Sequence, residues 1–366
     1  MEDNKNPDLI IIFVIITLLA IGLIMILSAS SVRSYNLGGN NFYFFKRQLF
    51  TVSLGLISMF ITMKIDYHIY QRFSRVILLL TLLLLFIVLF PGIGQLRGGS
   101  RRWLGIGSLG FQPSTVAKLG IVVYLAQYLS SKKEKLDKFI KGLCPALLVL
   151  GIVFLLILAE PDLGTAVTIA ITAFILIFVS GAKISHLSIL AMSGITAVFY
   201  FIFTSDYRRE RFTAFIDPWS DPLDSGYHII QSLLALGSGG FFGVGIANSK
   251  QKYLYLPEPG TDFIFAVLGE ELGFLGVFVV LSLYLLFFWR GIRAAFRAPD
   301  FFGTLLAIGL TSMIIIQVFI NIGVVSATIP VTGITLPFIS YGGSSVFIML
   351  TGVGILLNIS ANSIKK

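Results

Sequence analysis

Ten long apolar runs separated by polar segments are the feature that most restricts how this chain can fold. A run of roughly 18 or more apolar residues is long enough to cross a bilayer as a helix. Only 12% of the 366 residues are charged, whereas a soluble domain averages about 25%. Backbone polar groups in lipid need internal partners, and helices supply them. We therefore predict an all-α polytopic membrane protein whose residues 1–366 form one membrane domain.

The predicted spans follow the apolar runs, and the first is too long for the apolar core of a signal peptide. They cover residues 9–28, 44–63, 76–90, 113–129, 143–158, 163–180, 184–204, 263–289, 302–326 and 344–359. The polar stretch 205–261 is predicted to be a long extracellular loop. Within this loop, Ile229, Ile230, Leu233 and Leu234 share one helical face, which is typical of a helix at the membrane interface.

The distribution of basic residues predicts how the chain is oriented in the membrane. One alternate set of short segments holds more than twice as many lysines and arginines as the other. Such residues stay on the cytoplasmic side of short loops, so both termini are expected in the cytoplasm. The net charge of +9 is explained by basic loops facing anionic lipid, with no need for nucleic acid. The single cysteine, Cys144, allows no internal disulfide.

Asp262 lies where the long loop enters the eighth apolar run, in the stretch YLYLPEPGTDFIFAVLGEELG. A carboxylate at the mouth of a membrane helix is costly, so it is a candidate functional group. The alternative is that Asp262, like Thr261, only caps the helix that follows. Further along, Glu270 and Glu271 are expected to form a structural or gating pair with a base.

A basic external segment, GGSRRWLGIGSLGFQPSTVAKLG, supplies the first candidate anion-binding residues. Arg101 and Arg102 carry forked donors that suit phosphate or carboxylate. Trp103 could contact a substrate or lie at the membrane interface. Lys118 falls inside the next span, where it needs an anion or a carbonyl unless its side chain reaches the nearby surface.

Two acidic residues flank a tight turn in the next external segment, AEPDLGTA. Asp162 is expected to cap the helix that follows. Together, Glu160 and Asp162 could also hold a divalent cation, because hard cations bind oxygen ligands. They are the candidate metal ligands of this sequence.

Two other segments carry candidate contacts to an anion. Arg208, Arg209 and Arg211 begin the long loop and could neutralise phosphate. Alternatively, they pair with the nearby acids Glu210, Asp217 and Asp221. Ser344 and Ser345 open the last span, where free helix amides can receive an anion, or where the two serines act only as caps.

Several enzyme classes find no support in the sequence. It contains no Walker motif, no HExxH and no nucleophile elbow, and these motifs mark nucleotide, zinc and serine hydrolase sites. The three histidines have no metal-ligand spacing.

Five stretches together resemble the SEDS family (shape, elongation, division, sporulation), which contains RodA, FtsW and SpoVE. They are GGSRRWLGIG with QPS, EPDLGTA, the RRERF to GYHIIQS segment, LPEPGTDFIFAVLGEELGF, and PVTGITLPFISYGGSS. The loop text LYLPEPGTDFIF is closer to the FtsW and SpoVE branch. One departure is Thr115, because the family usually has glutamate there, next to Lys118 on the helix.

The resemblance implies a peptidoglycan glycosyltransferase that polymerises lipid II at the outer face of the cytoplasmic membrane. It also implies that Asp262 is catalytic and that a class B penicillin-binding protein is the partner. The chemistry agrees, because a carboxylate can take the proton of an attacking hydroxyl, and a pyrophosphate leaving group needs cations. No cofactor is required, although Mg²⁺ or Mn²⁺ could bridge the pyrophosphate. The alternatives are a lipid II flippase and a non-catalytic scaffold.

Overall fold

The structure is a computed structural model that describes residues 6–38, 41–97, 100–106, 109–253 and 255–363. Most of these residues are helical. The α-helices are α1 Leu9–Gly38, α2 Tyr43–Lys64, α3 His68–Ile87, α4 Pro113–Ser131, α5 Cys144–Ala159, α6 Leu163–Val179, α7 Ile184–Phe203, α8 Asp206–Ile216, α9 Tyr227–Ser238, α10 Ile264–Phe296, α11 Phe301–Val325 and α12 Gly343–Ala361. The predicted helical class is confirmed.

A helix coincides with each of the ten predicted spans, and eight of them are long and apolar enough to cross a membrane by length and composition. The other two are α4, which is less apolar, and α6, which has 17 residues. The third helix begins at His68, eight positions before its predicted start. The predicted span began only after Arg75, the last arginine before the apolar run. The chain is thus built as a multi-pass membrane protein.

Helix α11 forms the centre of the bundle. It packs against α4, α6, α10 and α12, and 89% of the residues in its most apolar 18-residue stretch are buried. Small residues let the neighbouring backbones approach, as is typical of membrane helices. A side chain added at Gly354 of α12 would meet Thr62 Oγ1 of α2 at 2.0 Å. The helices that carry the external loops are therefore held by close backbone packing.

The segment before α4 folds as a small antiparallel sheet, which the sequence did not predict. The strands β1 Gly94–Arg97, β2 Ser100–Ile106 and β3 Leu109–Phe111 are ordered β1-β2-β3. Its short strands and glycines gave no alternating pattern long enough to recognise. Because side chains alternate along a strand, the sheet decides which of its residues face the protein.

Helix α10 is broken at Gly273, whose φ of 65° is not helical. The break frees backbone groups, and the glycine-rich turn that follows α9 binds them. The amides of Val244 and Gly245 donate to the carbonyls of Glu270 and Glu271, at 3.0 and 3.1 Å. In return, the amide of Phe274 donates to Gly240, at 2.9 Å. Irregular backbone is tolerated in a membrane protein where other protein groups satisfy it in this way.

The stretch 205–261 contains two helices, α8 and α9. In α9, Ile229 and Ile230 are buried, whereas Leu233 and Leu234 are exposed. The four residues lie on one side of α9, as predicted, but only the two isoleucines of that side are buried against the protein. The buried side is completed by small residues, since Ser232 donates to the Val325 carbonyl of α11 at 2.7 Å. Packing against the rest of the protein therefore determines which part of α9 is buried, and the apolar pattern alone did not show this.

Candidate active site

Asp262 lies in the turn that leads into α10, and its side chain is half-buried. The N-cap residue of α10 is Phe263, and no side chain caps this helix end. The alternative that Asp262 is a helix cap is therefore wrong. No hydrogen-bond donor contacts its carboxylate among the residues that the structure describes. A carboxylate held in this way is available to an incoming group.

The backbone of Asp262 is held by two polar residues on neighbouring elements. The Nδ2 of Asn321, on α11, donates to the Asp262 carbonyl at 2.8 Å and to the Ile334 carbonyl at 2.7 Å. The hydroxyl of Ser340 donates to the Thr261 carbonyl at 2.6 Å. The Asp262 loop and the loop between α11 and α12 therefore form one unit, and the carboxylate has a defined position.

The surroundings raise the pKa of Asp262 to about 6. Burial is the largest cause, and the nearby carboxylates of Glu258 and Asp162 act in the same direction. The guanidinium groups of Arg211 and Arg102 act in the opposite direction. A carboxyl with this pKa is a stronger base than an ordinary aspartate and is still ionised near neutral pH.

Asp162 caps α6, as predicted, by accepting a hydrogen bond from the Thr165 amide at 3.1 Å. Its other oxygen accepts from Gln112 at 3.0 Å. Glu160 is fully buried, and within the described part of the chain its two carboxyl oxygens have no hydrogen-bond partner. Burial raises the pKa of Glu160 to about 9, helped by Asp162. Glu160 is therefore a neutral acid near pH 7.

Arg101, Arg102 and Trp103 are adjacent in the sequence, but side chains alternate between the two faces of strand β2. Arg102 faces the protein, where its Nε donates to the Glu160 carbonyl at 2.7 Å, and its charge reaches Asp262. Arg101 and Trp103 are the alternate residues of β2, which pair with Leu96 and Gln95 of β1. Only Arg102 is therefore brought into the Asp262 site.

Of the three arginines of α8, Arg211 belongs to the site. Its Nη1 donates to the Val331 carbonyl at 3.2 Å, and its guanidinium lies 4.3 Å from the Tyr207 ring centre. Arg209 pairs with Asp206 of its own helix at 3.0 Å. The predicted pairing with other acids is wrong, because Asp217 and Asp221 cap local turns and Glu210 forms no such pair within the described residues. Arg208 has no ion pair there.

Lys118 is buried in α4, and its Nζ donates to Oε1 of Gln317 on α11 at 2.9 Å. The expected alternative, a side chain that reaches the surface, is wrong. Gln317 in turn donates to the Thr335 carbonyl at 3.0 Å. Gln317 lies one helical turn from Asn321 on α11. Through Gln317, Lys118 is therefore linked to the loop between α11 and α12, which Asn321 also binds.

The serines at the start of α12 do not act as caps, because the N-cap position is Gly342 and no side chain caps this helix. Instead, Oε1 of Gln48 accepts from the Gly342 amide at 3.2 Å. Ser345 is buried and borders the same small cavity as Lys118 and Gln317, whereas Ser344 is only half-buried. Of the two serines, Ser345 therefore lies beside the lysine.

The two acids of α10 have different partners. Glu271 forms a buried ion pair with Lys252 at 2.9 Å, as expected for a structural pair. The hydroxyl of Ser28 also donates to Glu271, at 2.5 Å. Glu270 has no basic partner among the residues that the structure describes; it accepts from the Ser249 hydroxyl and the Lys250 amide, at 2.5 and 2.8 Å. Both acids therefore hold the segment that leads to Asp262 onto the first half of α10.

Gln317, Asn321, Ser340 and Lys252 are the site residues that the sequence reasoning missed. One signal was available, because Gln317 and Asn321 are polar residues one helical turn apart in the apolar stretch IIIQVFINIG. Polar groups in a membrane helix usually face protein and have a function. Ser340 and Lys252 had no comparable signal, since their partners are distant in sequence.

Comparisons with known proteins show the family to which the chain belongs. The family profile described as cell cycle protein, which groups FtsW, RodA and SpoVE, matches residues 8–365. Stage V sporulation protein E of Bacillus subtilis (strain 168) is 48% identical over 98% of both chains. The probable peptidoglycan glycosyltransferase FtsW of Geobacter sp. (strain M18) is 42% identical over 98% of both chains.

Solved structures share the whole fold. One, from work described as structural coordination of polymerization and crosslinking by a peptidoglycan synthase complex, is 30% identical with a TM-score of 0.80 over 97% of both chains. The rod shape determining protein RodA of Thermus thermophilus is 29% identical with a TM-score of 0.73 over 98% of both chains. The chain belongs to the FtsW, RodA and SpoVE family of cell cycle proteins, the SEDS family.

Proposed function

We propose that this protein is a peptidoglycan glycosyltransferase that polymerises lipid II at the outer face of the bacterial cytoplasmic membrane. The observation that carries the proposal is the Asp262 carboxylate, which no donor among the described residues engages and whose pKa is raised to about 6. Relatives named as peptidoglycan glycosyltransferases support it. The distribution of basic residues supports a cytoplasmic location for both termini.

In the proposed reaction, Asp262 accepts the proton of the acceptor sugar's 4-hydroxyl as its oxygen attacks the donor's anomeric carbon. A new glycosidic C–O bond forms, and the bond from the anomeric carbon to the pyrophosphate oxygen breaks. The electron pair of that bond leaves with undecaprenyl pyrophosphate. A single displacement inverts the anomeric centre, so an α-linked donor gives a β-linked polymer.

The leaving pyrophosphate gains negative charge, which cations at the site would stabilise. Arg102 and Arg211 are the best placed, because both of their charges act on Asp262. Both are held by backbone carbonyls, at 2.7 and 3.2 Å, which leaves other guanidinium donors for a ligand. Lys118 lies deeper, where its partner is the neutral Gln317. It would therefore keep its positive charge available to an anion or a carbonyl of the lipid.

A divalent cation fits the site poorly. Within the described residues no three histidine, cysteine or acidic side chains are grouped as metal ligands. Asp162 is already engaged by Thr165 and Gln112. We therefore assign the stabilisation of the pyrophosphate to the cationic side chains.

The proposed partner is a class B penicillin-binding protein that cross-links the new glycan. Support comes from the solved relative whose description couples polymerization with crosslinking in one synthase complex. The resemblance to the family implies the same pairing. Copurification with a cognate penicillin-binding protein, followed by a comparison of the polymerisation rates of the free protein and the pair, tests this part of the proposal.

The central test is polymerisation of labelled lipid II by the purified Asp262→Asn variant. Loss of a general base costs roughly 10²- to 10⁴-fold in rate, so the variant should make almost no polymer. Asp206→Asn is a matched control, because Asp206 is an exposed acid on α8 that pairs only with Arg209 within the described residues. Polymer synthesis by Asp262→Asn at the rate of the control would refute the proposal. Lipid II transfer across liposomes without polymer would instead indicate a flippase.

A further inference from the structure

Gly333 lies beside the open side of the Asp262 carboxylate. It is exposed, and its φ of 75° belongs to the left-handed region. A Cβ added at Gly333 would lie 3.5 Å from Oδ2 of Asp262. Apart from its chain neighbours, no other atom of the described residues would come within 4 Å of that Cβ. The missing side chain therefore leaves free space that borders Asp262 alone.

The position of Gly333 relative to Asp262 is determined by hydrogen bonds on both sides of the glycine. On one side, Arg211 donates to the Val331 carbonyl at 3.2 Å. On the other, the Asn321 amide donates to the Ile334 carbonyl at 2.7 Å and to the Asp262 carbonyl at 2.8 Å. One amide group thus holds both loops, and the free space above Oδ2 is a built feature of the site.

Two buried polar atoms close to Gly333 in the chain or in its hydrogen bonds have no partner within the part of the chain that the structure describes. They are Oγ1 of Thr332, the preceding residue, and Oδ1 of Asn321, which binds the Ile334 carbonyl through its Nδ2. An unpaired buried polar atom costs free energy, and a bound ligand can supply its missing hydrogen bond. Hydroxyl and amide groups of a sugar offer the donors and acceptors that such atoms require.

We propose that Gly333 controls access to Asp262, because its missing side chain leaves the room in which the acceptor sugar presents its hydroxyl to Oδ2. This inference rests on the proposed function and adds to it a residue that selects the acceptor. A hydroxyl must come within about 2.6–3.2 Å of the base. A methyl group in van der Waals contact with Oδ2 would occupy part of that approach, and a larger side chain would occupy more of it.

Backbone strain must be separated from blocked access, since an ordinary residue with positive φ is strained. Asparagine tolerates this region better than alanine does but has the larger side chain. Strain alone therefore predicts that Gly333→Asn is more active than Gly333→Ala, whereas blocked access predicts the reverse. Gly181 is a matched control, because its φ is 88° and an added Cβ would contact no described residue within 4 Å.

The experiment compares alanine and asparagine at both glycines in the full-length purified protein, using labelled lipid II and thermal unfolding. We expect Gly333→Ala to lose roughly three- to tenfold in initial rate and Gly333→Asn at least thirtyfold. The Gly181 variants should stay within twofold of the wild type. The unfolding midpoint of each asparagine variant should be no lower than that of its alanine counterpart.

The proposal is overturned if Gly333→Asn polymerises as fast as Gly333→Ala, or if both keep the wild-type rate. It is also overturned if Gly333→Ala fails to fold while Gly181→Ala folds, because Gly333 would then act on stability. The Asp262→Asn variant is measured in parallel. If it is inactive while the Gly333 variants are active, the role of Gly333 fails and the proposed function stands. If it is active, the proposed function itself fails.

Discussion

At the two ends of the helix bundle, acidic side chains differ in whether they have hydrogen-bond partners. At the end that contains Asp8 and Asp300, the carboxylates have partners: Asp8 binds Arg290 at 2.7 Å, and Asp300 binds Tyr67 and the Gly303 amide. At the other end, the carboxyl groups of Asp262 and Glu160 lack hydrogen-bond partners among the described residues. An unsatisfied buried group costs stability, so its retention at one end indicates chemistry there and structure at the other.

The turn that leads into α10 and the helix itself contain one acid of each kind, nine positions apart. Glu271 is buried in an ion pair with Lys252, whereas Asp262 is half-buried and its carboxylate has no ion-pair partner among the described residues. The paired acid holds the loop, and the unpaired acid is left for the substrate. The comparison can be tested by removing partners from the paired acids and by titrating the unpaired one.

The largest loss of stability should follow Lys252→Met, because it leaves the charge of Glu271 buried without a cation. Breaking a buried pair in this way costs about 3–5 kcal/mol. Thermal unfolding of the purified protein measures the loss. Arg209→Met, which breaks the exposed pair with Asp206 at 3.0 Å, is the control and should cost less than about 1 kcal/mol. Equal unfolding midpoints for the two variants would contradict the assigned role of Lys252.

A smaller loss is expected for Asp8→Ala at the opposite end. The pair with Arg290 is partly buried, with 10% of the Asp8 side chain exposed, so its loss should cost about 1–3 kcal/mol. The polymerisation rate per folded molecule should stay within twofold of the wild type, because no reacting group lies at this end. A rate loss as large as that of Asp262→Asn would show that the two ends are not functionally distinct.

The pH dependence of the rate tests the unpaired acid directly. The pKa of Asp262 is raised to about 6, and the base must be ionised, so the rate should rise about tenfold between pH 5 and pH 7. A raised carboxyl pKa also means that the folded state binds the proton more tightly than the unfolded state. This contribution to stability is therefore present at low pH and is lost as pH rises through 6.

Glu258→Gln sharpens that test, because Glu258 is the carboxylate that raises the pKa of Asp262 most. The midpoint of the pH–rate profile should move to lower pH in this variant. It should move to higher pH in Arg211→Gln, since the Arg211 charge lowers the pKa of Asp262. A profile that moves in the same direction in both variants would rule out Asp262 as the titrating group.

The smallest change is expected at the helix cap. Asp162→Ala removes the bond from the Thr165 amide, and the loss of a cap costs about 0.5–2 kcal/mol. Asp162→Asn should keep most of the stability, because asparagine caps nearly as well. If the asparagine variant is as unstable as the alanine variant, the charge of Asp162 matters more than its hydrogen bond to α6.

Local sequence signals predicted much of this architecture. The helices follow the apolar runs, Asp262 was recognised as a charge at a helix mouth, and Asp162 caps α6 as its neighbours suggested. These features depend on residues close together in the chain. The family resemblance then gave the fold and the candidate catalytic group together.

Features that depend on distant contacts were not predictable from local patterns. The break at Gly273 exists because the turn at Gly240 binds the freed backbone groups. The partner of Lys118 is Gln317, which lies 199 positions away. The choice of Arg102 rather than Arg101 depends on strand register in a sheet whose strands have at most seven residues. Each of these facts requires the folded chain.

The broken helix also has a consequence for protein engineering. Because the backbone of 240–245 completes the hydrogen bonds of α10 around Gly273, the stretch 205–261 and the first part of that helix must be inherited together. The amide of Leu275 also donates to the Phe241 carbonyl, at 3.2 Å, so a chimera that swaps this stretch between two relatives should be joined after Leu275 rather than near Phe263. Junctions at the boundary would separate each amide from the carbonyl with which it evolved.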